Sequence, residues 1–311
     1  MPQLKDLRRN PILTNISKAF RNDQANYIGM SLLPELPVAE DAGFYYVYDK
    51  SGMKVVETRI TPNVKASVAE VERNLSKVPY GPLEKQALDE FLSDDEIKRS
   101  KDPLNARIDT TENVTDVFLL AKEAKAAALL SSTSVLTQNT TLSGTSQWSD
   151  FGNSNPFNDI RVAKNSVKAN GLRRVNTAWM SFEVWSIIEN HPDFLDRIKW
   201  SERGIMTPEI FASLIGVKQI LIGDAAKNTA VDGQTDVLAS VWGKHFGLAY
   251  IEARPGLKQL SLGYTLQLED GRGMETIDSR KEMGEYERIS DYYLQYVMTP
   301  EVAYSIQNAV A

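Results

Sequence analysis

The chain has 311 residues, a net charge of −6, and 42% hydrophobic against 24% charged residues, the balance of an ordinary globular protein of about two domains. It has no cysteine, which excludes disulfides, thiolate metal sites and cysteine nucleophiles, and its two histidines, His191 and His245, lie too far apart for an H-E-x-x-H zinc motif. The acidic balance argues against a chain whose main work is gripping phosphates, and no run approaches the ~18 apolar residues of a membrane-spanning helix.

The first stretch, MPQLKDLRRNPIL, carries charge without an apolar run, so no secretory leader is expected. Residues 1–43 scatter apolar side chains among Pro2, Pro11, Pro34 and Pro37 and read as an extended arm that packs on a neighbouring subunit or on its own body. Residues 44–80 read as a long hairpin. FYYVYD goes out, Asp49-Lys50-Ser51-Gly52 turns, and MKVVETRI returns. VKASVAEVERNLSKVPYG completes a polar flap with no core of its own, and such an element needs a partner surface to be ordered.

Gly81-Pro82 then opens a predicted helix, PLEKQALDEFL, with Leu83, Ala87, Leu88 and Phe91 on one face. DDEIKRSKDP reads as a solvated connection. A second helix is expected from Asp109, which stands at capping-box spacing from Glu112, to about Leu130. Its expected buried stripe is Val114, Val117, Phe118, Ala121, Ala124 and Ala128. Residues 131–155, rich in Ser, Thr and Asn, read as a loop.

From Pro156 the punctuation is dense. Asn155 can cap a helix with Pro156 in its first turn, and Gly171 is expected to close that helix as its left-handed residue. RVNTAWMS reads as a strand, Ser181 caps FEVWSIIENH, and His191-Pro192 stops it. Thr207-Pro208-Glu209 starts EIFASLIG, and VKQILIG is a β-branched strand ending at Gly223. After a turn-rich excursion, DVLASVWGKHFGLAYIE reads as two strands meeting at Gly243–Gly247. Residues 263–270 form another strand, and two further strands and a terminal strand finish the chain.

Nothing in this order marks catalysis. The phosphate-loop, dinucleotide and nucleophile-elbow signatures are missing, and Gly271-Arg272-Gly273 is a turn. His191 is expected at a helix end facing free carbonyls, and His245 has no nucleophile beside it to activate. Asp89, Glu90, Asp94, Asp95 and Glu96 read as a solvated charge run, with acid–base or metal work as the alternative. Asp224, Asp232 and Asp236 share a loop that could hold a cation. Trp179, Trp185, Trp200 and Trp242 read as core or interface packing. Lys5, Arg8 and Arg9, and Lys164, Lys168, Arg173 and Arg174, read as dispersed solubilising charge or as a face toward nucleic acid. No catalytic, cofactor-binding or metal-binding residue is assigned.

The order of Gly171, Asn176, Thr177, Met180, Ser181, Val184, Trp185, His191, Pro192 and Lys199, followed by Thr207, Glu209, Ala212, Gly216, Val217, Gly223 and Ala225, resembles the central part of the major capsid proteins of tailed bacteriophages, the Hong-Kong-97-type fold. Trp148, Asp150 and Pro156 before it, and Asp291, Tyr293 and Ala303 to Ala309 after it, fit the same resemblance. It implies an α+β fold with an N-terminal arm at 1–43, an E-loop at 44–80, a peripheral domain with a long spine helix at 81–170 and 264–298, and an axial domain at 171–263 and 299–311. It further implies self-assembly of hexamers and pentamers into an icosahedral shell around double-stranded DNA, without cofactors and without sequence-specific contacts. A separate scaffolding protein and a portal would be partners. An encapsulin-type compartment is the related alternative, and a soluble enzyme with 131–155 as a lid is the alternative from another class.

Overall fold

The computed structural model describes residues 22–23, 26–48, 50–53, 55, 74–99, 106–199, 205–231, 233–256, 259–269 and 271–311. In chain order the elements are α1 (Gly29–Leu32), β1 (Glu35–Val38), β2 (Gly43–Tyr48), β3 (Leu75–Tyr80), β4 (Glu84–Ser93), α2 (Asp94–Arg99) and α3 (Ala106–Ser131). They continue as β5 (Asn139–Thr141), α4 (Pro156–Gly171), β6 (Thr177–Ser181), α5 (Phe182–Glu189), α6 (Pro192–Ile198), α7 (Pro208–Ile215) and β7 (Gln219–Gly223). Among the described residues the last third continues with β8 (Ala226–Asn228), β9 (Leu238–Ser240), β10 (Phe246–Ala249), β11 (Gly263–Leu268), β12 (Gly273–Ser279), β13 (Gly284–Val297), a single 3-10 turn at Pro300–Val302 and β14 (Ala303–Gln307). This is the expected α+β class.

Two five-stranded sheets carry the molecule. The first runs β1-β11-β13-β12, with β4 on the other flank of β13. β1 is parallel to β11 and the other pairs are antiparallel. α3 lies across this sheet, and Val114 and Phe118 pack on Leu88, Ile289 and Tyr293. The second sheet runs β5-β14-β10-β6-β7, and its core takes in the buried faces of α4 to α7. A third cluster joins the two, in which Leu32, Leu33, Ala126 and Leu130 meet Trp179, Trp242 and Ala303. Three of the four tryptophans expected inside are buried, and Trp200 lies outside the described residues.

The local signals from 155 to 223 hold because each is a short-range bond. Asn155, Ser181 and Thr207 accept the backbone N–H of Asn158, Val184 and Ile210, and prolines open α4, α6 and α7. β6 is buried at every position because strands flank it on both sides. α6 has no counterpart in the sequence reading.

Gly171 is a correction. It is the last helical residue of α4, and Leu172 takes the left-handed conformation at φ 59°. Glycine stands at 171 because a Cβ there would lie 2.6 Å from the Glu301 carbonyl oxygen.

Residues 84–93 form strand β4, not a helix. Gln86, Leu88, Glu90 and Leu92 turn inward while Lys85, Ala87, Asp89 and Phe91 turn outward, a period of two. Ten ladder pairs with β13 override the helical propensity of that stretch. DDEIKR is helix α2, with Ser93 and Glu96 capping reciprocally. α3 starts at Ala106, so Asp109 lies inside its first turn and caps nothing. The partner of β2 is β3, in the register Tyr48↔Leu75. MKVVETRI lies almost wholly outside the described residues. β9 and β10 do not pair with each other; they join β8 and the second sheet respectively.

The loop 131–155 is stitched down rather than lid-like. β5 pairs with β14, and Trp148 is fully buried with its indole N–H on Asp159 at 3.0 Å. Packing also groups β5 and α4 with the second sheet, whereas the expected division at 170/171 groups them with the first.

Candidate assembly surfaces

The two histidines serve as structure. The His191 ring is buried and caps α6: its Nδ1 accepts the Asp193 N–H at 3.2 Å. That is the reverse of the expected role, since the ring meets amides and not carbonyls. Burial lowers its pKa, with Asp193 opposing. Because Nδ1 accepts an N–H, the ring proton sits on Nε2. Nε2 lies 3.1 Å from Ser154 Oγ, which donates its own proton to the Asp150 carbonyl at 2.7 Å. This Ser–His pair therefore points its protons the wrong way for a base to activate a nucleophile. His245 Nδ1 accepts the Asn308 N–H at 3.4 Å, and burial lowers its pKa too.

The carboxylates are dispersed among pairs. Asp89 makes a bidentate pair with Arg288 at 2.7 and 2.6 Å across β4 and β13, which holds its carboxyl below the usual range. Glu90 accepts from Asn113, and Asp94, Asp95 and Glu96 sit in the first turn of α2, where the helix dipole favours them. Asp236 accepts from Asn228 across the β8–β9 ladder, Asp224 follows the end of β7, and Asp232 lies outside the described residues. Among the described residues no three His, Asp or Glu side chains converge as for a metal, and no helix is long and apolar enough to cross a membrane. Lys164 donates to the Ile215 carbonyl at the end of α7, Lys168 to that of Leu172, and Arg173 stacks on Tyr250. Arg174 lies close enough to Lys164 to help burial lower its pKa. Lys5, Arg8 and Arg9 fall outside the described residues.

Sequence reasoning missed the two buried charges of α3. Glu123 is 3% exposed and accepts three donors: the N–H of Ile28 and of Gly29, each at 2.8 Å, and the Trp242 indole N–H at 2.7 Å. Lys122, 2% exposed, pairs with Glu35 of β1. Both charges thus hold residues 28–35, with Leu32 and Leu33 fully buried between them. Residues 26–38, within the expected arm, pack on the chain's own body, one of the two surfaces that reading allowed. The available signal was spacing, since Lys122 follows the buried Val114 and Phe118 at steps of four.

Two groups of large apolar side chains remain exposed on hairpins. On the hairpin, Tyr45, Val78 and Tyr80 face inward to Leu83 and Tyr264, while Phe44, Tyr46, Val47 and Leu75 are each more than two-fifths exposed. Lys77 lies over the Phe44 ring at 4.5 Å. Val231, Val237 and Leu238 form a second exposed group around the β8–β9 hairpin. A two-stranded ribbon with large apolar groups on its open face is a surface made for contact.

No family model matches the sequence. Two curated phage proteins do. The major capsid protein of Burkholderia phage BcepMu is 26% identical over 318 residues, 99% of both chains, and that of Pseudomonas phage JBD67 is 27% identical over 310 residues, 97% of both. The chain is similar along nearly its whole length to these two phage major capsid proteins. The fold agrees. A phage-related protein from Bordetella bronchiseptica RB50 superposes with a TM-score of 0.71 at 22% identity, covering 96% of this chain and 97% of that one. The capsid of cyanophage P-SCSP1u gives 0.61 at 11%, covering 93% and 89%. An encapsulin complex from Synechococcus elongatus gives 0.50 at 10%, covering 96% and 95%. In this fold the two sheets are joined through the cluster at the end of α3, and the β2–β3 and β8–β9 hairpins carry exposed apolar side chains.

Proposed function

We propose that this chain is the major capsid protein of a tailed phage or prophage, and that copies of it assemble into an icosahedral head around double-stranded DNA. The observation that carries the reading is similarity along 97% or more of the chain to two phage major capsid proteins. In this reading the first sheet and α3 form the peripheral domain, the second sheet and its helices form the axial domain, and β2–β3 is the base of an E-loop that lies on the next subunit. The mechanism is association through many modest contacts whose sum is set by multivalency. Hexamers and pentamers are the building units, a scaffolding protein and a portal are partners, and the DNA is held without base-specific contacts.

Purified protein, followed by sedimentation and negative-stain microscopy, tests this. Closed shells, or six- and five-fold rings, are expected. A species that stays monomeric at every concentration, with and without a scaffolding protein from the same gene cluster, overturns it. Nuclease-protected DNA inside particles recovered from cells separates this reading from an encapsulin-type compartment, which would hold protein cargo.

A further inference from the structure

Charge is unevenly placed along this chain. Residues 156–181 hold Arg161, Lys164, Lys168, Arg173 and Arg174 against Asp159, a net charge of +4 in a chain whose total is −6. The fold gathers four cations where α4 and α7 end. Lys164 and Lys168 stand about one turn apart on α4, roughly 6 Å along its axis. Lys164 reaches across to the Ile215 carbonyl, and its Nζ lies 3.5 Å from where a Cβ on Gly216 would stand. Lys218 comes two residues later and donates its backbone N–H to the Asn176 carbonyl at 2.8 Å, which brings it beside the chain that leads from Arg174 into β6. Lys168, Arg174 and Lys218 are exposed and Lys164 is half-buried. Arg173 flanks the group, stacked 5.5 Å over the Tyr250 ring, whose hydroxyl donates to Glu252 at 2.8 Å.

The cations at this end are held by neutral groups. Lys164 and Lys168 donate to the carbonyls of Ile215 and Leu172, which fix the ammonium groups without a carboxylate to neutralise them. The ion pairs formed among the described residues use other cations, Arg107, Lys122, Arg280 and Arg288, all on α3 or the first sheet and its β12–β13 turn. Like charge is therefore crowded here at an electrostatic cost, and a dense anion relieves it. Duplex DNA offers one negative charge per ~1.7 Å of its axis. The Tyr250 ring is taken by Arg173 and not left open for an unpaired base to stack on, which favours a duplex over a single strand. An acidic protein segment would also want an apolar anchor pocket. The cavity on α4 lies toward the other end of the helix, lined by Leu142, Val162 and Ile306 and by the carboxylate of Asp159.

We propose that Lys164, Lys168, Arg174 and Lys218 form a contact surface for the phosphate backbone of double-stranded DNA. The surface is blind to base sequence, because its groups are short-reaching cations on a helix end and not an element shaped to enter a groove. In a shell it is the side of the second sheet that faces the enclosed DNA; this last clause rests on the capsid reading, and the binding itself does not.

The dilute, unassembled full chain is titrated into a short labelled duplex and followed by fluorescence anisotropy at several salt concentrations. Binding at low salt is expected, equal for two unrelated sequences, with log K falling against log salt at a slope of about −3 to −4 for four neutralised phosphates. The triple variant Lys168→Glu, Arg174→Glu and Lys218→Glu is expected to weaken binding at least about tenfold. Lys98→Glu, Arg280→Glu and Lys281→Glu together change the net charge equally on exposed residues elsewhere and are expected to stay within about twofold. Should the first triple variant fold poorly by its urea midpoint, the milder pair Arg174→Gln and Lys218→Gln replaces it, with a slope shallower by about two expected. No binding at low salt overturns the proposal. So does equal weakening by both triple variants, which would assign the effect to total charge. Binding of polyglutamate that the first triple variant abolishes, with duplex binding unchanged, overturns it in favour of an acidic protein partner. None of these readouts needs a shell to form, so shells from a chain that ignores DNA would sink this proposal and leave the capsid reading standing.

Discussion

Gly171 and Leu172 exchange the roles that their identities lead one to expect, and the exchange is measurable. A methyl group on residue 171 meets the Glu301 carbonyl oxygen at 2.6 Å and Val302 Cγ1 at 3.0 Å, neither of which can step aside without moving the chain before β14. Gly171→Ala is expected to destabilise by about 1–3 kcal/mol, as overpacking does. Leu172→Gly removes a side chain from a left-handed backbone and is expected to stabilise by up to about 1 kcal/mol, the strain outweighing the contacts of a 41% exposed leucine. Urea midpoints moving in the opposite order would return the left-handed role to Gly171. Glu123 gives a second residue-level prediction. Burial pushes its carboxyl above the usual 4.5, while the N–H groups of Ile28, Trp242 and Gly29 pull it back. The folded state therefore holds this proton more tightly than the unfolded state. The resulting stabilisation is full below pH 4.5 and is lost as the pH rises through the shifted value. Glu123→Gln has no such titration, so the stability of wild type relative to the variant should fall between pH 4 and 7. A flat or rising difference would mean that the three donors outweigh the burial. Sequence showed the caps because Asn155, Ser181 and Thr207 act within three residues; it hid Glu123 because two of its donors lie 95 and 94 residues away.

Elements were legible where local signals and packing agree. β6, α5, α7 and β7 each have a cap, a stop or a β-branched run, and each forms where expected. β4 shows the opposite case. Its residues suit a helix, and the ladder with β13 decides otherwise. The two readings separate at neighbouring positions. On a helix, Ala87 and Leu88 would share a buried face; on β4, Ala87 points out and Leu88 packs on Val114, Phe118, Ile289 and Tyr293. Leu88→Asp is expected to cost more than about 3 kcal/mol, because it puts a carboxylate against an apolar cluster, and Ala87→Asp to stay within about 0.5 kcal/mol. Similar losses for both would reinstate the helical face. Of the expected stripe of α3 only Val114 and Phe118 are buried, while Val117, Ala121 and Ala128 are exposed and Ala124 is half-buried: one helix serves two partner surfaces, so no single helical direction describes its burial.

At the scale of the molecule, the hairpin has one face packed on the chain's own core and one exposed, so folding and the proposed assembly can be tested separately. Tyr45 and Tyr80 are buried in the chain's own core, at 6% and 8% exposure, so excising residues 45–78 would open that core along with the flap. The informative deletion is narrower. Tyr48 and Leu75 are the last ladder pair of β2 and β3, and Asn-Gly in place of residues 49–74 closes that pair with a two-residue turn. The inward face and its contacts with Leu83, Tyr264 and Met298 survive, while residues 49–74 are gone. The truncated chain is expected to keep the urea midpoint of the parent within error, and to form no shells under conditions where the parent does. Shells of normal size from this variant would show that copies join without the flap. Loss of folding would show that residues 49–74 stabilise their own subunit, and the contact surface would then have to be sought at Val231, Val237 and Leu238 of the other hairpin.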